Sequence, residues 1–91
     1  MATHELKCWP EAFQPTWIGI KIHEIRRYDR PFKEGDTLIL LEWDPKRDIN
    51  DRFTGRRIFA IIKYISLPNT FGMPDYLCVM SLNIIDCDKN G

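Results

Sequence analysis

This sequence has no cysteine pair, no long apolar run and no surplus of charge. Its three cysteines, Cys8, Cys78 and Cys87, are odd in number and nowhere spaced Cys-x-x-C. A secreted disulfide framework shows an even set, so three reduced thiols are expected. Cys8 and Cys78 fall inside apolar strand patterns, where a thiol acts as a small hydrophobe. No Cys or His pair has the spacing of zinc ligands, and neither metal nor cofactor is expected. The apolar run Ile58–Ile62 stops at Lys63, whereas a membrane-spanning helix needs about 20 such residues. The start, Met-Ala-Thr-His-Glu, lacks the basic-then-apolar pattern of a secretory signal. A cytoplasmic monomer is the expectation. There is also no Gly-rich phosphate loop, H-E-x-x-H, nucleophile elbow or Cys/His dyad.

What is present fits one globular domain spanning residues 1–91. The apolar fraction of 44% and the charged fraction of 29% are ordinary for a folded protein. Net charge is zero, which argues against an indiscriminate nucleic-acid binder. The distribution is uneven. Segments 21–33 and 44–57 carry ten Lys or Arg against five Asp or Glu. They would make one basic face if they met in space, or a mixed, self-paired surface if they did not.

The hydrophobic period is mostly two, the period of strands. Thr3–Trp9 alternates, with Leu6 and Cys8 on one side and Glu5 and Lys7 on the other. Pro10 opens a helical stretch in which Phe13, Trp17 and Ile18 share a face, with Gly19 as terminator. Pro15 should break it into two short turns. Further strands are expected over Lys21–Arg27, Thr37–Trp43, Arg56–Ile65 and Tyr76–Ile85, with Asp86–Gly91 as a polar tail. The single helix between the first two strands cannot cover both faces of a sheet. The expected fold is therefore mainly β within the α+β class: a small barrel of about five strands with the helix plugging one end.

The segment Gly19-Ile20-Lys21-Ile22-His23-Glu24-Ile25-Arg26 resembles the G-x-K-x-x-E-x-R signature of the ASCH superfamily. Other matches follow in order: Asp29-Arg30-Pro31-Phe32 with Gly35-Asp36, Leu41-Glu42-Trp43-Asp44, Thr54-Gly55-Arg56, and Tyr76 to Leu82. Together they are similar to one branch of small bacterial and phage proteins. The resemblance implies a PUA-like barrel with a cleft beside the signature, binding RNA or a nucleotide. Some small members act as amidohydrolases on acylated cytidines. In those enzymes a motif lysine, matched by Lys21, is catalytic, a threonine stands where this chain has Glu24, and a distant glutamate completes the set. No glutamate lies near Ser66–Pro74 here, although Asp75 follows it and Glu42 precedes it.

The residues themselves leave several readings open. Glu24 and Arg26, two apart on a strand, project from one face, where they can grip a base edge and a phosphate or simply pair. Lys21 follows the helix end, as a dipole partner or as a catalytic amine. Lys7, His4 and Trp43 are expected near the same cleft. His4 is equally a satisfied structural histidine. Trp9 and Trp43 end strands and could stack on a base, while Phe13, Trp17, Phe59 and Tyr64 fit a packed core. Three functions follow. The first is an RNA- or nucleotide-binding module using Lys21, Glu24, Arg26, Lys7, His4 and Trp43. The second is a hydrolase of a modified nucleoside, with Lys21 and Glu24 as the acid–base pair. The third is a protein-binding adaptor with an exposed patch around Leu67, Phe71 and Met73.

Overall fold

The computed structural model describes residues 1–89. Five strands form one curled half-barrel: β1 (Thr3–Cys8), β2 (His23–Arg27), β3 (Thr37–Trp43), β4 (Phe53–Ser66) and β5 (Leu77–Lys89). Their order across the sheet is β1-β3-β4-β5-β2. The β1–β3 pair is parallel and the other three are antiparallel. The parallel pair needs a crossover, and the helix α1 (Pro10–Trp17) with β2 supplies it. The two edge strands, β1 and β2, run antiparallel to each other across the open seam of the barrel.

Alternation explains the interior. On β1, His4, Leu6 and Cys8 point inward while Glu5 and Lys7 point out. Leu38 and Leu40 on β3, Ile58, Ala60 and Ile62 on β4, and Met80 on β5 are almost fully buried. Phe13 of α1 seals one end and Phe32 of the β2–β3 loop belongs to the same core. Burying one such side chain contributes roughly 1.5–3 kcal/mol. Tyr64, expected in the core, is instead 56% exposed. It lies beside a register shift between Ile62 and Tyr64 that turns the strand, and such a bulge upsets simple alternation.

Several sequence-based expectations move. The helix is continuous through Pro15. The bond Pro15 cannot donate would go to the carbonyl of Glu11, an exposed first-turn residue that water can satisfy. The carbonyl of Pro15 in turn accepts from the amides of Ile20 and Lys21, closing the helix where Gly19 takes φ 86°. β4 begins at Phe53, not Arg56. Asp86 to Lys89, read as a tail, continue β5 because they pair with Arg56 to Phe59 of β4. Asn90 and Gly91, the rest of that tail, lie outside the described residues.

The first strand is tied down by a buried carboxylate. Asp36 accepts from His4 Nε2 at 2.8 Å, from the amide of Ala2 at 3.0 Å and from the amide of Lys33 at 3.1 Å. These bonds, chiefly the one from His4, hold the Asp36 carboxyl below its ordinary range despite burial. A depressed folded-state pKa contributes stability above the unfolded value and loses it as pH falls through the folded one. Urea unfolding should therefore show stability falling steadily from about pH 5 downward. Asp36→Asn, already destabilised at neutral pH, should fall less steeply over that interval. Parallel slopes for the two proteins would place the acid sensitivity elsewhere.

Candidate functional site

Glu24 lies at the centre of a charged cluster between α1 and the seam. It is 3% exposed. Its Oε2 accepts from Lys21 Nζ at 3.2 Å, and its Oε1 accepts from Arg26 Nε at 3.4 Å and Nη2 at 3.2 Å. Arg26 Nη2 also donates to the carbonyl of Lys7 at 2.8 Å. A carboxylate has about four acceptor sites, so one on Oε2 stays open. Simple alternation sets Lys21 on the opposite face from Glu24. It reaches Glu24 because the strand starts only at His23, leaving Lys21 in the turn.

A cavity of about 350 Å³ opens above this cluster, walled by Lys7, Trp9, Glu24, Ile25 and Arg26, with Cys8 at its base. Trp9 is 57% exposed, yet its backbone is fixed. Its carbonyl caps α1, accepting from the amides of Ala12 and Phe13. The site thus combines an aromatic face, a buried carboxylate and two cations. Burial, then the nearby Glu24 carboxylate, pushes the Cys8 thiol up to about 11. Cys8 is therefore a neutral thiol near pH 7, unsuited to nucleophilic attack.

A second cluster stands on the other side of Cys8. Cys8 is in register with Glu42 across the β1–β3 ladder. Arg56 grips Glu42 with both Nε and Nη2 at 2.8 Å, and the Thr54 hydroxyl donates to it at 2.6 Å. Arg56 also donates to Gln14 of α1 at 2.9 Å and lies against Phe13 and Trp17. The β3–β4 register shifts by two residues around Gly55, whose φ of 93° suits glycine. That bulge lets Thr54 and Arg56 address the same carboxylate. The Arg56 hydrogen bonds hold Glu42 below the usual carboxylate range. Glu42 is a fixed anion that ties α1 to the sheet.

Of the residues expected at the cleft, Lys21, Glu24 and Arg26 come together, and Lys7 joins them through its backbone carbonyl, its ammonium lying over Trp43 and Phe53. His4 does not. It sits on Asp36, about 13 Å of strand away from Cys8. Trp43 does not face the cleft either. Lys7 and Arg52 cover its ring from 4.8 and 5.4 Å on the outer surface. Trp9 takes the aromatic position instead. Six of the ten cations in the two basic segments hold carboxylates: Lys21, Arg26, Arg30 and Arg47 within their own segment, Arg56 on Glu42 and Arg57 on Asp88. Cys8, Gln14 and Arg56 were not anticipated at the site, since nothing local in the sequence marks them. In the 67–73 loop, Leu67 and Phe71 are exposed, Phe71 by 89%, while Met73 is partly covered.

Breaking a well-buried ion pair costs more than breaking an exposed one. Arg56→Ala should lower unfolding stability by about 3 kcal/mol, because it strands buried Glu42. Arg57→Ala, which releases half-exposed Asp88, should cost under about 1 kcal/mol. Denaturant titrations of the two variants test the ranking, and equal losses would contradict it.

Comparison with known proteins matches residues 3–82 to the model of a family described as "Domain of unknown function (DUF3850)". The chain is also similar to an "Uncharacterized 12.9 kDa protein in GpA 3'region" of Escherichia phage P2, with 41% identity over 59 residues. That stretch covers 65% of this chain, and it spans half the length of the phage protein. The family match takes in four strands whole, the helix and the start of β5, including every residue of the Glu24 and Glu42 clusters, and the chain belongs to the DUF3850 family.

Proposed function

We propose that this chain is an RNA- or nucleotide-binding module whose ligand enters the cavity between Trp9 and Glu24. The observation that carries the reading is the meeting of an exposed indole and a buried carboxylate, held by Lys21 and Arg26 and with one acceptor site open, at one 350 Å³ space. The indole offers a stacking face for a base, worth about 1–3 kcal/mol. Glu24 accepts from a base or ribose donor, and Arg26 flanks the phosphate. A guanidinium already held by Glu24 and the Lys7 carbonyl is preorganised, so less side-chain freedom is lost on binding. The resemblance of residues 19–26 to the ASCH signature points the same way, and membership of that superfamily is part of this proposal. So is action as a monomer in the cytoplasm. No helix among the described residues is long and apolar enough to cross a membrane.

Titration of isotope-labelled protein with a mixed short single-stranded RNA should shift the amides of Lys7–Ala12 and Glu24–Arg26. The shifts should weaken at higher salt, as phosphate contacts release counterions. Glu24→Gln, checked for folding by circular dichroism, should bind about tenfold more weakly, the loss expected for one charged hydrogen bond. Shifts confined to other surfaces, or an unaffected Gln variant, would move the ligand out of this cavity.

The 3.2 Å contact between Lys21 and Glu24 also favours a second reading, an amidohydrolase acting on a modified nucleoside with these two as the acid–base pair. Incubation with a panel of acylated nucleosides should then release the acid, and Lys21→Ala should abolish release while leaving the fold intact. No turnover on the panel would remove it.

A further inference from the structure

The Trp9 cavity has a neighbour. A second space of about 390 Å³ lies on the other side of the contact between Arg26 and the Lys7 carbonyl, walled by Glu5, Leu6, Arg27 and Arg30 over the Phe32 ring. Lys7 and Arg26 line both spaces. They are therefore two compartments of one groove along the seam between the free edges of β1 and β2, divided by the Arg26 guanidinium on the Lys7 carbonyl. On the β1 side the first compartment is lined by Lys7, Cys8 and Trp9 and the second by Glu5, Leu6 and Lys7. Two residues of strand separate them by about 7 Å.

From this geometry we infer that the seam groove holds two successive, unstacked nucleotides of a single strand, one base in each compartment, with the linking phosphate over Arg26. The inference rests on the nucleotide-binding reading and extends it from one nucleotide to two. Spacing carries the argument. A stacked strand rises about 3.4 Å per nucleotide, half of what the compartments demand, so the two bases must be splayed. Splayed single strands are what proteins read when bases are stacked on aromatic rings or guanidinium planes. Both surfaces are available. Trp9 stands in the first compartment. In the second, the Arg30 guanidinium lies 5.6 Å from the Phe32 ring centre, partly exposed and only loosely paired with Asp29 at 3.7 Å. Arg26 sits between the compartments and Arg27 is on the rim, where a phosphate would lie, while Glu5 and Asp29 line the second compartment beside Arg30. An extended peptide adding to the β1 edge fits less well, since the Lys7 carbonyl is already taken by Arg26.

Calorimetry compares the intact protein with the four ribonucleoside monophosphates and the four homodinucleotides at one salt concentration. The best dinucleotide should bind about tenfold or more tightly than its own monophosphate, the gain from stacking a second base. Arg30→Ala should bring that dinucleotide down to the affinity of the monophosphate. A monophosphate that binds as tightly as its dinucleotide would overturn the two-base groove and leave the single-nucleotide reading standing. A dinucleotide advantage that survives Arg30→Ala would overturn the placement of the second base. Binding of neither probe would overturn both readings.

Discussion

Arg26 connects two edges that no ladder joins. A sheet of five strands can curl far enough to bring β1 and β2 face to face without zipping them. One guanidinium spans the opening, holding Glu24 on its own strand and the Lys7 carbonyl on the other. Because Glu24 is also held by Lys21, the bridge anchors the turn after α1 as well. The shape of the seam, the orientation of the buried carboxylate and the partition of the groove all depend on that side chain. Lysine could not replace it, since its three donors radiate from one point and lack the planar fork.

A core made only of hydrophobic residues would serve this barrel at least as well. Two nearly buried carboxylates, Glu24 and Glu42, flank Cys8 at the α1 end, each neutralised by arginine. Buried ion pairs of this kind are weak stabilisers compared with apolar substitutes of similar volume. The two clusters differ in what they leave open. Glu42 is gripped by both guanidinium nitrogens and a hydroxyl, and it ties helix to sheet. Glu24 keeps an acceptor site and borders a cavity. Structural need accounts for the first arrangement and leaves the open site of the second without a purpose inside the fold.

The fold was legible because its signals are local. Period-two alternation located all five strands, and β3 was bounded to the residue. Errors arose where pairing overrode local pattern. Asp86 to Lys89 look like a tail until β4 is seen to run long enough to pair with them. Pro15 looks like a breaker until its helix is seen to need no bond at that amide. Half of the site was also legible, since Lys21, Glu24 and Arg26 lie within six residues. The other half was not. Trp9 reaches Glu24 only through curling of the sheet. Glu42 meets Cys8 only through a parallel ladder, and Arg56 meets Glu42 only through a glycine bulge. Long-range pairing of this kind leaves no trace in spacing. His4 shares a strand with Lys7 and the inward face with Cys8, but about 13 Å of strand separates it from Cys8.

An open seam is also a hazard. Free edges invite pairing with other chains, and folded proteins blunt them with charges. Glu5, Lys7, Arg26 and Arg27 stand along these two edges and meet that need. Edge protection alone, however, would be served by any charges pointing to solvent. Arg26 points across the seam instead, donates to Glu24 and to the Lys7 carbonyl, and leaves a recess on either side of it. Protection explains why the edges are charged. It does not explain why Arg26 stands between two recesses with a tryptophan in one and an arginine laid on phenylalanine in the other, the arrangement for which the proposed nucleotide ligand accounts.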